Sequence, residues 1–251
     1  MSLRLATTVV NAALYALTGL LWTVIPITAF GVRFWPQVFV PAAFSVLFGP
    51  WTGGVGAAIG IFIADVFYGH HDPLLSLLVG VPSNFVGFFV IGLLTHKSSS
   101  GVRKRILLGL SLLIPIALAA YGVYLLSGTG GFGSPQFLVS LVGLLAVVII
   151  LGFTLKQNRW ADFEVASSIG LGIGSVIIGL GIVGYSALFT LPAVLGLGSG
   201  ALPTDFIYAT TTFTYLSEVP FLILLTPPVV AACRAAFPSL QYAQTTRSPR
   251  S

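Results

Sequence analysis

Charge is what this sequence has least of. Only 7% of its 251 residues are Asp, Glu, Lys or Arg, against about a quarter in ordinary soluble domains. That excludes a soluble globule of this length, whose surface needs far more charge. Cysteine is nearly absent as well. A single Cys233 excludes disulfides within the chain and any multi-cysteine metal site. Long polar segments are missing too: the longest polar loop is about ten residues, far below the size of a small domain. No nucleotide-binding, kinase or cyclase domain fits, so any energy or signalling output has to come from partners. Catalytic signatures are also lacking. The chain contains no HExxH, no GxSxG and no Cys/His pair at a useful depth, so it reads as a non-enzyme without cofactor or bound metal.

What is abundant is apolar surface. Hydrophobic residues make up 56% of the chain and mean hydropathy is +1.02, which excludes disorder. The apolar stretches are continuous and not alternating with period two, which excludes a transmembrane barrel. The chain therefore reads as an all-α, polytopic helical membrane protein. Breaks at Pro, Gly clusters and charges divide it into eight stretches, at about 5–25, 35–49, 51–68, 74–95, 105–127, 136–155, 165–190 and 206–236. The second and third are short against the ~20 residues of a crossing, giving about 6–8 transmembrane helices. The last is too long for one crossing, and Pro220, Pro227 and Pro228 predict a kink or a stop within it. Residues 1–238 form a single transmembrane domain, and 239–251 a short, basic cytoplasmic tail. The first stretch has one basic residue and no clear small-x-small cleavage site, so it reads as a permanent helix and not a signal peptide.

The basic residues orient the chain. With the N-terminus in the cytoplasm, Arg4, Lys97, Arg103, Lys104, Arg105, Lys156, Arg159, Arg234, Arg247 and Arg250 all fall inside, and only Arg33 falls outside. Ten of the eleven basic residues on one side indicate an N-in, C-in topology by the positive-inside rule, and the expected location is the plasma membrane. The net charge of +5 is thus a topology signal. It is no nucleic-acid footprint, because no basic domain with interleaved aromatics exists.

Small residues recur at helical spacing: Thr8, Ala12 and Ala16, with Ala13 and Gly19 nearby; Gly56, Gly60 and Ala64; Gly170, Gly174, Ser175 and Gly179. Such strips let helix backbones approach closely. They either pack inside the chain or dock a partner, and Ala12 and Ala16 on the terminal helix are the better docking candidates. Phe48-Gly49-Pro50-Trp51-Thr52-Gly53-Gly54 forms a tight turn joining two short helices, and is not a phosphate loop. On the outer side lie Arg33, Asp65 and Tyr68-Gly69-His70-His71-Asp72. The histidine run is either a solvated loop or a metal-binding one. Arg33 and Asp65 either pair with each other or hold a solute, Arg33 taking its carboxylate or phosphate.

The last stretch carries the most informative polar pattern. Asp205, Tyr208, Thr211, Thr212, Tyr215 and Glu218 fall within one broad helical face that lipid would reject. That face either forms a buried hydrogen-bonded network or opens into a pocket, with Asn84 as a neighbour of Glu218. The predicted solute site joins Arg33, Trp35, Asp65, Tyr68 and Asn84 to Asp205, Tyr208, Thr212, Tyr215 and Glu218. Phe34, Trp35 and Tyr68 would supply stacking surfaces.

The first 95 residues resemble the substrate-binding S component of energy-coupling factor (ECF) vitamin transporters. The similarity lies in Ala12-Ala13-Leu14-Tyr15-Ala16, in Val32-Arg33-Phe34-Trp35-Pro36, in Leu47-Phe48-Gly49-Pro50-Trp51-Thr52-Gly53-Gly54-Val55-Gly56, in Asp65, and in Pro82-Ser83-Asn84-Phe85-Val86-Gly87. The resemblance implies a capture subunit for a vitamin-like small molecule, without an ATPase of its own. It implies as partners a membrane coupling subunit and two cytoplasmic ATPases. Family members typically have six helices in a shorter chain, fewer than the eight stretches here. The family's metal-uptake members begin with a Met-His pair, whereas this chain begins Met1-Ser2-Leu3, which argues against cobalt or nickel. The alternative is a membrane sensor module, since Trp35-Pro36 before an Ala-containing helix also resembles sensory membrane domains. Those domains usually carry an output domain in the same chain.

Overall fold

In a computed structural model, residues 3–25, 27–96, 101–128, 141, 145 and 160–238 are described. The sixth apolar stretch, 136–155, lies largely outside them, as do Lys97, Lys156, Arg159 and the tail 239–251. The molecule is a helical bundle. Its elements are α1 (Leu3–Leu21), α2 (Phe39–Phe48), α3 (Pro50–Phe67), α4 (Pro73–His96), α5 (Gly101–Gly128), α6 (Ala161–Leu188) and α7 (Phe206–Ala236). Among the described residues, six helices are long and apolar enough to cross a membrane, all except α2. The protein is therefore a multi-pass helical membrane protein. The second apolar stretch, Pro36–Phe48, falls short of the spanning length. The third forms a full span, Pro50–Phe67.

Local sequence sets the breaks. Gly49 adopts φ 99°, closed to most side chains, and Pro50 takes the first helical position of α3. At the other end of α3, the Asp72 carboxylate accepts hydrogen bonds from the Leu74 and Leu75 amides and starts α4 behind Pro73. A π turn at Ser76–Gly80 follows within α4. The stop predicted within the last stretch does not occur: α7 continues through Pro220, Pro227 and Pro228. Buried Val219, Leu222, Ile223 and Val230 pack into the central core there, and packing on several neighbours sustains a helix that proline alone would weaken.

The small-residue strips pack inside the chain. α1 and α3 run side by side in the same direction, with Asn11 donating hydrogen bonds to Thr52 O and Gly53 O and a methyl group at Gly60 reaching 2.8 Å from Ala12 O. Ala12 and Ala16 are buried in this seam. The docking role expected of them is corrected accordingly: α3 of the same chain already occupies that strip. The opposite face of α1, with Leu3, Val9, Val10, Leu14 and Leu17, is the exposed one. α4 and α6 also meet closely. A methyl group at Gly170 would lie 2.7 Å from Gly87 O and 2.5 Å from Ile91 Cγ1.

One short β-hairpin interrupts the helices. Thr28–Ala29 pairs antiparallel with Val32–Arg33. Its two turn residues, Phe30 and Gly31, both have positive φ, 51° and 76°, as a two-residue hairpin turn of this kind requires. Thr210 on α7 donates to Phe30 O at 3.0 Å, and the Phe30 ring packs edge-on against Phe206 and Phe213. The hairpin thereby becomes a cap over one end of the bundle.

Candidate functional site

Beneath that cap lies a cavity of about 120 Å³. It sits where α1, α3 and α6 end and α4 and α7 begin. Its floor is set by Tyr15 of α1, Asn84 of α4 and Glu218 of α7. Glu218 lies twelve residues beyond Phe206, about 18 Å along the helix at 1.5 Å per residue. Its walls are mostly apolar, with Ile61, Leu75, Val79, Ile178 and Ile182, and its mouth carries Arg33, Asp65 and His70. Mostly apolar walls with a few convergent polar groups are the usual make-up of a small-molecule site. A larger groove of about 430 Å³ between α1, α2 and the end of α7 lacks that character, as it is lined by Val10, Leu14, Phe44, Leu47 and Val229 with scarcely a polar group.

Hydrogen bonds hold the floor in place. Trp35 Nε1 donates to Tyr15 Oη at 3.0 Å, Tyr15 Oη donates to Asn84 Oδ1 at 2.8 Å, and Asn84 Nδ2 donates to Gly80 O at 3.0 Å. The π turn ends at Gly80 and presents that carbonyl, a use of π geometry common near functional sites. At the mouth, Arg33 Nη1 donates to Tyr68 O at 3.0 Å. Asp65 Oδ2 accepts from Ser76 Oγ at 2.6 Å and stands 3.5 Å from His70 Nε2. The Tyr68 hydroxyl donates to Ala16 O. Burial, reinforced by the Asp65 carboxylate, pushes its pKa up to about 12. Tyr68 is thus a neutral donor that ties α3 to α1. Partial burial works against the Asp72 carboxylate. The Tyr185 hydroxyl, the Leu75 and Leu74 amides and nearby His70 outweigh it and hold Asp72 below its ordinary value.

The cavity brings together Arg33, Trp35, Asp65, Asn84 and Glu218 of the predicted set. Arg33 and Asp65 do not pair with each other: Tyr68 O takes the guanidinium, and Ser76 and His70 flank the carboxylate. The remaining predicted residues lie elsewhere. Tyr68 supports the mouth from behind through its backbone carbonyl and its bond to Ala16. Asp205 is exposed just ahead of α7. Tyr208 is 62% exposed, with its ring against Tyr121. Tyr215 is fully buried but turned toward α5 and α6, where its hydroxyl meets Ser168 Oγ at 2.8 Å. Thr212 is buried away from the cavity, without a hydrogen-bond partner for its Oγ1. The polar face of α7 therefore splits. Tyr215 belongs to a buried network and Glu218 to the cavity, because residues three apart on a helix point about 60° from each other.

The site prediction does not include the apolar walls, nor three polar lining residues, Tyr15, Thr28 and His70. Tyr15 sits on the same α1 face as Ala12, Ala16 and Gly19, and a large polar ring within a small-residue strip was the available signal. For His70 the sequence offers only a loop residue or a metal ligand. His71 Nδ1 instead meets Val66 O and His70 Nδ1 accepts from the Asp72 amide. Among the described residues no cluster of three or more His, Cys, Asp or Glu side chains forms a metal site. Compared with known protein families, with characterised proteins and with solved structures, the chain gives no match.

Proposed function

We propose that this protein is the membrane-embedded capture subunit of an ECF-type importer in the plasma membrane, binding a vitamin-like small molecule from outside in the capped cavity. The observation that carries the reading is the cavity itself. Ionisable side chains within membrane spans are costly and mark solute pathways or binding sites, and here Asp65 and Glu218 converge with Arg33 on one recess. The motif resemblance supports the reading, since Trp35, Asp65 and Asn84 of the resembling segments all line the same cavity. So does the basic asymmetry, which puts the hairpin of Arg33 on the outer side and the start of α1 on the inner side. The coupling subunit and the two ATPases would then act on surfaces other than the Ala12–Ala16 seam.

Copurification tests this function. Purified gently from its native membrane, the protein should bring down a membrane coupling subunit and ATPases, and mass spectrometry should find one small organic solute at near-stoichiometric amount. Recovery of a kinase or transcription factor in place of ATPases would refute transport and indicate a sensor.

A further inference from the structure

The polar groups around the cavity are not equally committed. Trp35, Tyr15 and Asn84 satisfy one another. Arg33 is engaged by a backbone carbonyl, and Asp65 by Ser76 and His70. Glu218 is different. It is only 6% exposed, and among the described residues neither a hydrogen bond nor an ion pair reaches its carboxylate. It faces the main cavity and also closes a crevice of about 20 Å³ behind it, beside Asn84 and Thr214. A buried carboxylate without a partner is strongly unfavourable, and its chemistry, when ionised, is acceptance alone.

Two further observations bound the ligand. The recess, about 120 Å³, is close in size to a cavity of roughly 150 Å³ that admits benzene, so its occupant is about one ring in size. The lining carries two acidic side chains, Asp65 and Glu218, against the Arg33 guanidinium and the His70 imidazole; both of these stand at the mouth, His70 beside Asp65, and neither reaches Glu218. The Tyr15 and Trp35 rings in the same lining favour a flat cation over an anion.

We propose that the cavity selects a compact, one-ring cation whose amine- or amidine-type nitrogen is received by Glu218. This rests on the reading of the cavity as the solute site and specifies the chemical class that the site takes.

The test is calorimetry on the full chain in detergent with three one-ring probes of similar size: benzamidine, benzoate and benzyl alcohol. Benzamidine should bind at least about tenfold more tightly than the other two, the advantage of a charge-assisted hydrogen bond. Glu218→Gln should erase that preference while leaving benzyl alcohol within about twofold, and Glu218→Asp should fall between. A readout without ligand guards against misfolding. Glu218→Gln, which removes the buried unpartnered carboxylate, should melt at a higher temperature than the native chain. The proposal is overturned if benzoate binds best, if Glu218→Gln leaves benzamidine affinity unchanged, or if that variant melts at or below the native temperature. Binding of benzoate or benzyl alcohol without preference for benzamidine would sink the cation class alone and leave the cavity as a solute site. Binding of none of the three would sink both.

Discussion

Tyr15 illustrates how one hydroxyl can organise a floor. It receives the Trp35 indole N–H and donates to Asn84, so α1, the segment entering α2, and α4 meet through a single oxygen. Tyr15→Phe keeps the ring and deletes that oxygen, leaving an indole donor and an amide acceptor unpaired. The expected cost is about 1–3 kcal/mol of stability, with weaker binding of the copurified solute, both read by thermal unfolding and calorimetry. Tyr208→Phe provides the contrast. Its side chain is exposed against Tyr121, so the change should stay within about 0.5 kcal/mol. The sequence pointed to Tyr208 and passed over Tyr15 because a polar stripe can be read from helical spacing. Which of its members turns toward a cavity depends on the neighbouring helices, and these are long-range facts. Arg33, Asp65, Asn84 and Glu218 were legible as ionisable or amide groups in apolar surroundings. That Arg33 and Asp65 would be engaged separately was not, since Tyr68 O and Ser76 are partners that spacing cannot name.

At the scale of elements, glycine placement governs how closely helices meet. At Gly170 a methyl group would run into Ile91 and Gly87 O, whereas at Gly184, on the same helix, it would meet nothing within 4 Å. Gly170→Ala should therefore destabilise by about 1–3 kcal/mol, the usual cost of overpacking. Gly184→Ala should be neutral or stabilising by up to about 1 kcal/mol, through helix propensity. Apparent melting temperatures in detergent distinguish the two. The regular spacing of Gly170 and Gly174 announced a close helix contact, and α4 is the helix that fills it. The same pattern at Ala12 and Ala16 was legible as a packing strip, but its partner was not, because a small-residue strip accepts any backbone that the topology delivers. The hairpin is not legible in the sequence for a related reason: two residues per strand are too few to show a period.

For the whole molecule, the short second helix sets a mismatch with its solvent. Pro36–Phe48 reaches about 20 Å at 1.5 Å per residue, while a typical hydrocarbon core is ~30 Å thick. The Gly49 turn that ends it lies beside Asn11 of α1, about two turns in from the start of that helix, since Asn11 bonds the Thr52 and Gly53 carbonyls. Trp51 beside the turn is 60% exposed, and tryptophan prefers the headgroup level. Keeping Trp51 at an interface would require lipid on this flank to thin, and a dent in the surrounding bilayer is the expected outcome. Reconstituted into phosphatidylcholine vesicles of graded acyl length, it should unfold at higher temperature in the thinner bilayers, and an optimum in thick ones would contradict this. The shallow turn thus makes acyl-chain length a variable that acts on this protein from one side, softening the membrane where the shortest helix meets it.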